Sequence, residues 1–78
     1  MAMTPSQHAF LDAQIALSAW RAARDVEAQV AHWLTEGRAN REELAQYRTR
    51  SRAAQVVHQR ARAAYRRACE RGLSGTGV

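Results

Sequence analysis

Three side chains of catalytic type, Glu27, Ser51 and His58, lie along the line where two predicted helices are expected to meet. A carboxylate, a hydroxyl and an imidazole are the groups used in nucleophilic catalysis. However, Ser51 and His58 stand seven residues apart, which is about 10 Å along a helix and too far for a nucleophile–base hydrogen bond. We therefore predict a structural polar layer of Glu27, Arg50, Ser51 and His58, in which Arg50 balances Glu27 and His58 stacks on Trp20. No catalytic residue and no enzymatic activity are expected.

The residues that commonly bind metal ions are scattered along the chain. His8, His32 and His58 occupy unrelated positions on the helical repeat, and no Glu-x-x-His pair of the kind found in di-iron bundles occurs. The single cysteine, Cys69, cannot form an internal disulfide, and we expect it to pack against Phe10. The sequence therefore predicts no metal ion, no cofactor and no small-molecule substrate.

Every basic residue of the chain is an arginine, and most of them lie in its second half. Residues 1–36 carry two Arg and four acids, a net charge of −2, whereas residues 37–78 carry ten Arg and three acids, a net charge of +7. Five arginines fall on one helical stripe. This arginine stripe consists of Arg41, Arg48, Arg52, Arg62 and Arg66.

Guanidinium groups bind carboxylates and phosphates through paired hydrogen bonds. The arginine stripe therefore predicts contact with an acidic partner. An alternative is a nucleic acid, bound through its backbone phosphates with little sequence specificity. A third interpretation is a solvated face in an arginine-biased chain, whose long stems cover alanine. No recognised nucleic-acid-binding motif supports the second interpretation.

Helix start and stop signals place all these residues on two long helices. Thr4-Pro5-Ser6-Gln7 combines an N-cap hydroxyl, a proline at the first helical position and a glutamine that completes a capping box. Gly37 suits the left-handed residue that ends a helix. Asn40 then predicts a second N-cap, with Glu43 completing a second capping box. No further glycine follows until Gly72.

These signals divide the chain into an N-terminal arm and cap (1–4), a helical hairpin (5–72) and a flexible tail (73–78). Within the hairpin we expect helix 1 over about residues 5–36, a turn at 37–40 and helix 2 over about residues 41–71. The short turn favours an antiparallel pair of helices. The fold class is therefore all-α.

Two ladders with seven-residue spacing predict how the helices meet. Folding the chain near residues 38–39 places one ladder opposite the other, so that small side chains face each other and the helices can approach closely. The first ladder is Ala9, Ala16, Ala23 and Val30, and the second is Tyr47, Ala54, Ala61 and Ala68. The companion positions are Ala13, Trp20, Glu27 and Leu34 on helix 1, with Leu44, Ser51, His58 and Tyr65 on helix 2. We call these sixteen positions the seam.

A further set of apolar residues has no place in the seam. This apolar flank consists of Ile15, Ala19, Ala22, Val26 and Trp33 of helix 1 with Val57 of helix 2. A chain of 78 residues with 17 Ala and no internal disulfide rarely stabilises itself without a partner. We therefore expect two hairpins to associate into a four-helix bundle, or one hairpin to dock on a larger protein. The arrangement resembles the ROP-like hairpin dimers in fold alone, and no function follows from it.

The chain carries no signal for export or membrane insertion. Its longest internal uncharged stretches have eight residues, far fewer than the roughly 20 that cross a bilayer. A cytoplasmic location without membrane contact is expected. The sequence therefore predicts a non-enzymatic interaction, adaptor or regulatory protein that self-associates or docks through the apolar flank and presents the arginine stripe to an acidic partner. The alternative is a small nucleic-acid-binding protein.

Overall fold

The chain folds into two helices packed against each other. The computed structural model describes residues 2–76, with side chains as far as Arg71. Helix α1 spans Pro5–Thr35 and helix α2 spans Arg41–Thr76, and the described residues contain no strand. The two helices lie side by side in a slab of 62 × 21 × 13 Å. Since a helix with its side chains is about 10–12 Å across, the hairpin is a single layer of helix.

The start of α1 forms the predicted capping box. The Gln7 backbone N–H donates to Thr4 Oγ1 over 3.2 Å, and the Thr4 backbone N–H donates to Gln7 Oε1 over 2.9 Å. Pro5 occupies the first turn, where a missing N–H costs nothing. Both sequence signals for the beginning of α1 are therefore confirmed.

Gly37 ends α1 in the left-handed conformation that its position predicts, with φ 74°. The Arg38 N–H donates to the Trp33 carbonyl over 2.8 Å and the Gly37 N–H to the Leu34 carbonyl over 3.1 Å. This pair of bonds is the Schellman motif, which satisfies carbonyls that the helix end would leave unpaired. The motif turns the chain sharply and allows α2 to return along α1.

The boundaries of α2 correct two expectations. Asn40 caps the helix, because its Oδ1 accepts from the Glu43 backbone N–H over 2.8 Å, but no reciprocal bond from the Glu43 side chain to Asn40 forms among the described residues. At the other end, α2 continues to Thr76 instead of stopping at about residue 71. One glycine inside a helix costs only about 1 kcal/mol relative to alanine, and no proline follows it. Of the expected tail, residues 77–78 lie outside the described residues.

The buried residues all belong to the seam. Ala16, Val30 and Leu44 are the buried apolar residues, and Ser51 and His58 are the buried polar ones. The remaining seam positions are half-buried. No large side chain is completely buried among the residues whose side chains are described. The seam therefore positions the two helices, but it encloses a very small core.

Within residues 2–76, neither helix contains a stretch long and apolar enough to cross a membrane.

Candidate interaction surfaces

The polar layer forms in part as expected. Ser51 and His58 are buried at 6% and 7% exposure, and Glu27 is half-buried. The His58 imidazole stacks on Trp20 with ring centroids 5.3 Å apart and an angle of 23° between the planes. No buried side-chain nitrogen or oxygen of the described residues lacks a hydrogen-bond partner. The stacking of His58 on Trp20 is thus confirmed, and it fixes the register of the helices at mid-length.

Arg50 does not balance the charge of Glu27. Its guanidinium carbon lies 5.0 Å from the centre of the Tyr47 ring. No guanidinium nitrogen of Arg50 lies within 4.0 Å of a Glu27 carboxylate oxygen in the described structure. Tyr47 stands three residues before Arg50 on the same helix, so that the two side chains are neighbours by helix geometry alone. This local contact replaces the ion pair across the seam that the sequence suggested.

Guanidinium–aromatic contacts recur along the hairpin. Besides the contact of Arg50 with Tyr47, Arg24 lies 5.2 Å from the centre of the Trp20 ring and Arg38 lies 5.6 Å from that of Trp33. All three distances lie within the roughly 6 Å at which a guanidinium is attracted to the face of an aromatic ring. Both tryptophan rings are consequently covered by arginines of the chain itself.

The apolar flank is exposed in the single chain. The exposed fraction is 67% for Ile15, 56% for Val57 and 43% for Val26, and Ala19 and Ala22 are also exposed. Trp33 is half-buried beneath Arg38. A shallow groove of about 220 Å³ on this face is lined by both helices, through Ala22, Ala23, Val26, Tyr47 and Arg50. Five of the six residues of the apolar flank are therefore exposed, and two of them, Ala22 and Val26, line the groove.

The arginine stripe lies on the opposite face, and all five of its side chains are exposed. In the part of the chain with described side chains, none of the five comes within 4.0 Å of a carboxylate. Glu36, at the turn, contacts His32 Nε2 at 2.8 Å and forms an ion pair with Arg38 Nη1 at 3.5 Å. The guanidinium groups of the stripe are therefore exposed and form no ion pair with the described part of the chain.

A groove at the open end of the hairpin was only partly expected. Phe10 lies beside Cys69 as predicted, but the groove of about 410 Å³ also includes Met3, Leu11 and Tyr65. The Phe10 and Tyr65 rings meet at a centroid distance of 5.6 Å. A side-chain hydrogen bond with Cys69 raises the pKa of Tyr65 above its ordinary value of 10.0, and the Coulombic interaction with the Cys69 thiolate and desolvation raise it further. The seven-residue spacing of Met3 and Phe10 is the sequence signal that could have indicated this groove.

Within residues 2–76, no three His, Cys, Asp or Glu side chains cluster in a way that could hold a metal ion. Comparison of the chain with protein-family models, curated proteins and solved structures gives no match. The exposed features that distinguish this hairpin are therefore its two faces, one apolar and one rich in arginine.

Proposed function

We propose that the chain is a small non-enzymatic interaction protein. Its hairpin pairs with a second copy through the apolar flank, and each copy presents its arginine stripe to an acidic partner. The single observation that carries this proposal is the one-layer shape: the slab is 13 Å thick in its shortest dimension. Protein domains enclose a core between at least two layers of secondary structure. A second hairpin supplies the missing layer.

The exposed area supports the same conclusion. The chain exposes 6229 Å², whereas a compact protein of its mass, 8.7 kDa, exposes about 4,700 Å². The excess is about 1,500 Å². An obligate homodimer buries roughly 2,000–5,000 Å² in total, which is about 1,000–2,500 Å² for each chain. A dimer formed through one face of the slab would bring the chain close to the exposure of a compact protein.

The distribution of residues indicates which face pairs. Ile15, Val26 and Val57 expose branched apolar side chains on one face, and side chains of this type form the cores of four-helix bundles. The opposite face carries five positive charges, which would repel a second copy if those faces met. Pairing through the apolar flank therefore directs both arginine stripes outward.

An acidic protein surface suits the outward stripe better than a nucleic acid. Proteins that bind single strands stack bases on exposed aromatic rings, but Trp20 and Trp33 are covered by Arg24 and Arg38. Unpaired guanidinium groups form strong paired bonds with carboxylates as readily as with phosphates. The stripe is also interrupted at its centre by Gln55 and Gln59.

Light scattering on matched variants tests the self-association. At about 100 μM the wild-type chain should have the mass of a dimer, since association depends on concentration. Val57→Asp should give a monomer, because it buries a carboxylate in the interface. Val56→Asp is the control: Val56 is the adjacent valine, its exposed fraction is 43%, and the helical repeat points it away from the apolar flank. A monomeric wild type, or equal loss of dimer in both variants, would refute pairing through this face.

A salt titration tests the choice of partner. Fluorescence anisotropy with a labelled duplex and a labelled single strand should show no binding at about 50 mM salt, where phosphate contacts are strongest. Binding that weakens steeply as salt is added would instead favour the nucleic-acid alternative.

A further inference from the structure

The arginine stripe borders a groove where it approaches the turn. The groove has a volume of about 410 Å³ and lies between α1 and α2. Leu44 forms its floor at 6% exposure, and Leu34 is half-buried beside it. Arg41, Arg48 and Arg52 stand along one wall. We call this feature the turn groove. It combines an apolar floor with a positively charged border.

The charges around the turn groove are not balanced by the chain itself. Arg41, Arg48 and Arg52 are exposed and have no carboxylate within 4.0 Å in the described structure. Of the acids in the first turn of α2, Glu43 is turned about 200° from Arg41 and points away from the groove. Glu42 lies one helical repeat before Thr49, at the edge of the groove, but it forms no ion pair with the three arginines in the described structure. Arg41 is also the first residue of α2, whose N-terminal end adds partial positive charge. The groove therefore attracts a negatively charged ligand.

We propose that the turn groove binds an acidic amphipathic helix of a partner protein. A third helix fits the depression between two packed helices, which is the usual way in which helical bundles grow. Its apolar side chains contact Leu34 and Leu44, and its carboxylates pair with the three arginines. This inference rests on the proposed function, of which it identifies the acidic partner.

The spacing of the arginines specifies the partner's pattern. Arg48 follows Arg41 by seven residues and Arg52 follows Arg48 by four, which places them about 10 Å and about 6 Å apart along α2. A helix parallel to α2 matches them with acids at positions i, i+7 and i+11. An antiparallel helix needs acids at i, i+4 and i+11. In either orientation, leucines on the inner face of the partner meet the floor.

The apolar floor also explains why the partner is a helix rather than a phosphate backbone. Half-buried Leu34 and exposed Ala45 present carbon to the ligand above the already buried Leu44, and a sugar–phosphate chain has no large apolar side chain to cover them. Burying these groups stabilises a complex by about 25 cal/mol for each Å² of apolar area removed from water. An amphipathic helix gains from both the floor and the border.

Binding of designed peptides tests the turn groove. The first peptide is a labelled helix with glutamates in one of the two patterns and leucines between them. The second has the same composition, but each glutamate is shifted by one position so that the acids leave the inner face. We expect the first to bind in the micromolar range and the second to bind at least about tenfold more weakly. Equal affinity of the two peptides would reduce the interaction to non-specific charge attraction and overturn the proposal.

Arginine variants locate the site. Arg48→Gln with Arg52→Gln should weaken the first peptide about tenfold, because two charge-assisted contacts are lost. Arg62→Gln with Arg66→Gln removes the same charge from the same stripe outside the groove and should change affinity by less than about twofold. Equal loss in both double variants would refute the groove as the binding site. Displacement of the peptide by a generic duplex would overturn the acidic helix as its occupant and favour a nucleic acid.

These measurements separate the inference from the proposed function. A chain that is monomeric by light scattering but binds the first peptide in the turn groove would refute the self-association and support the inference. A dimer that fails to bind either peptide at about 100 μM, a concentration sufficient for micromolar affinity, would refute the turn groove and leave the dimer in place.

Discussion

The distance between the two helices along the seam decides whether a larger side chain there stabilises or destabilises the fold. Ala16 lies in the middle of the first ladder of α1 and is 7% exposed. Changing Ala16 to leucine adds three carbon atoms at a position that the facing helix already covers. If room existed, burial of those carbons would stabilise the fold by about 2 kcal/mol, at about 0.8 kcal/mol for each methylene.

Overpacking changes this gain into a loss. Forcing extra methylene groups into a closely packed site costs about 1–3 kcal/mol through displaced side chains and backbone. For a chain of this size, each 1 kcal/mol lowers Tm by about 4–8 °C. We therefore expect Ala16→Leu to lower Tm by at least about 4 °C. A site with room for leucine would raise Tm and a closely packed site lowers it, so the sign of the change in Tm distinguishes the two.

Thermal unfolding followed by circular dichroism measures the effect. The matched control is Ala28→Leu, the same substitution on the same helix at an exposed position, where surface changes stay within about 0.5 kcal/mol. Both variants and the wild type are melted at two protein concentrations, because dimer formation makes Tm depend on concentration. If Ala16→Leu were as stable as Ala28→Leu, or more stable than the wild type, the close approach of the helices in the seam would be wrong.

Two further predictions concern the turn and the open end. Gly37→Ala should lower the free energy of unfolding by about 1–2 kcal/mol. A Cβ at this position meets nothing within 4 Å, so the cost comes only from backbone strain at φ 74°. Gly37→Asn should cost less, and an alanine variant as stable as the wild type would contradict the left-handed cap. Contact with Cys69 raises the pKa of Tyr65 above 10.0, so the folded chain holds the phenol proton to higher pH than the unfolded chain. The contribution of this contact to stability is therefore complete below pH 10.0 and declines as pH rises through the pKa of the folded state. Absorbance titration of the phenol should show Cys69→Ala lowering the pKa of Tyr65, and an unchanged titration would disprove the contact.

The elements of the hairpin were predictable because their signals are local. Thr4, Gly37 and Asn40 act through the backbone of their own neighbours, and each adopts the expected role. The seam was also predictable, since burial repeats with the helical period and the short turn leaves one register. The end of α2 was not, because Gly72 weakens a helix by only about 1 kcal/mol and the helix continues past it.

The partners of surface side chains were predicted less well, for an energetic reason. Exposed ion pairs contribute only about 0–1 kcal/mol, and a guanidinium–aromatic contact at an exposed site contributes about 0.5–1 kcal/mol. The free energies of pairing Arg50 with Glu27 and with Tyr47 are therefore similar, and sequence spacing does not reveal which is more favourable. The turn groove was not predicted, because Leu34 comes from one helix and Arg48 from the other. Only the packing of the two helices shows that these residues border the same groove.

The single-layer shape connects the weakness of the fold with its proposed use. A two-helix slab has two broad faces, and the seam hides neither of them. In this chain α1 supplies most of the apolar flank and α2 supplies the arginine stripe, which follows from the net charges of −2 and +7 in the two halves of the sequence. Because the faces differ in chemistry, a second copy can cover one face without competing for the other. Under the proposed function, pairing would supply the core that the single hairpin lacks, and the arginine stripes of both copies would stay exposed.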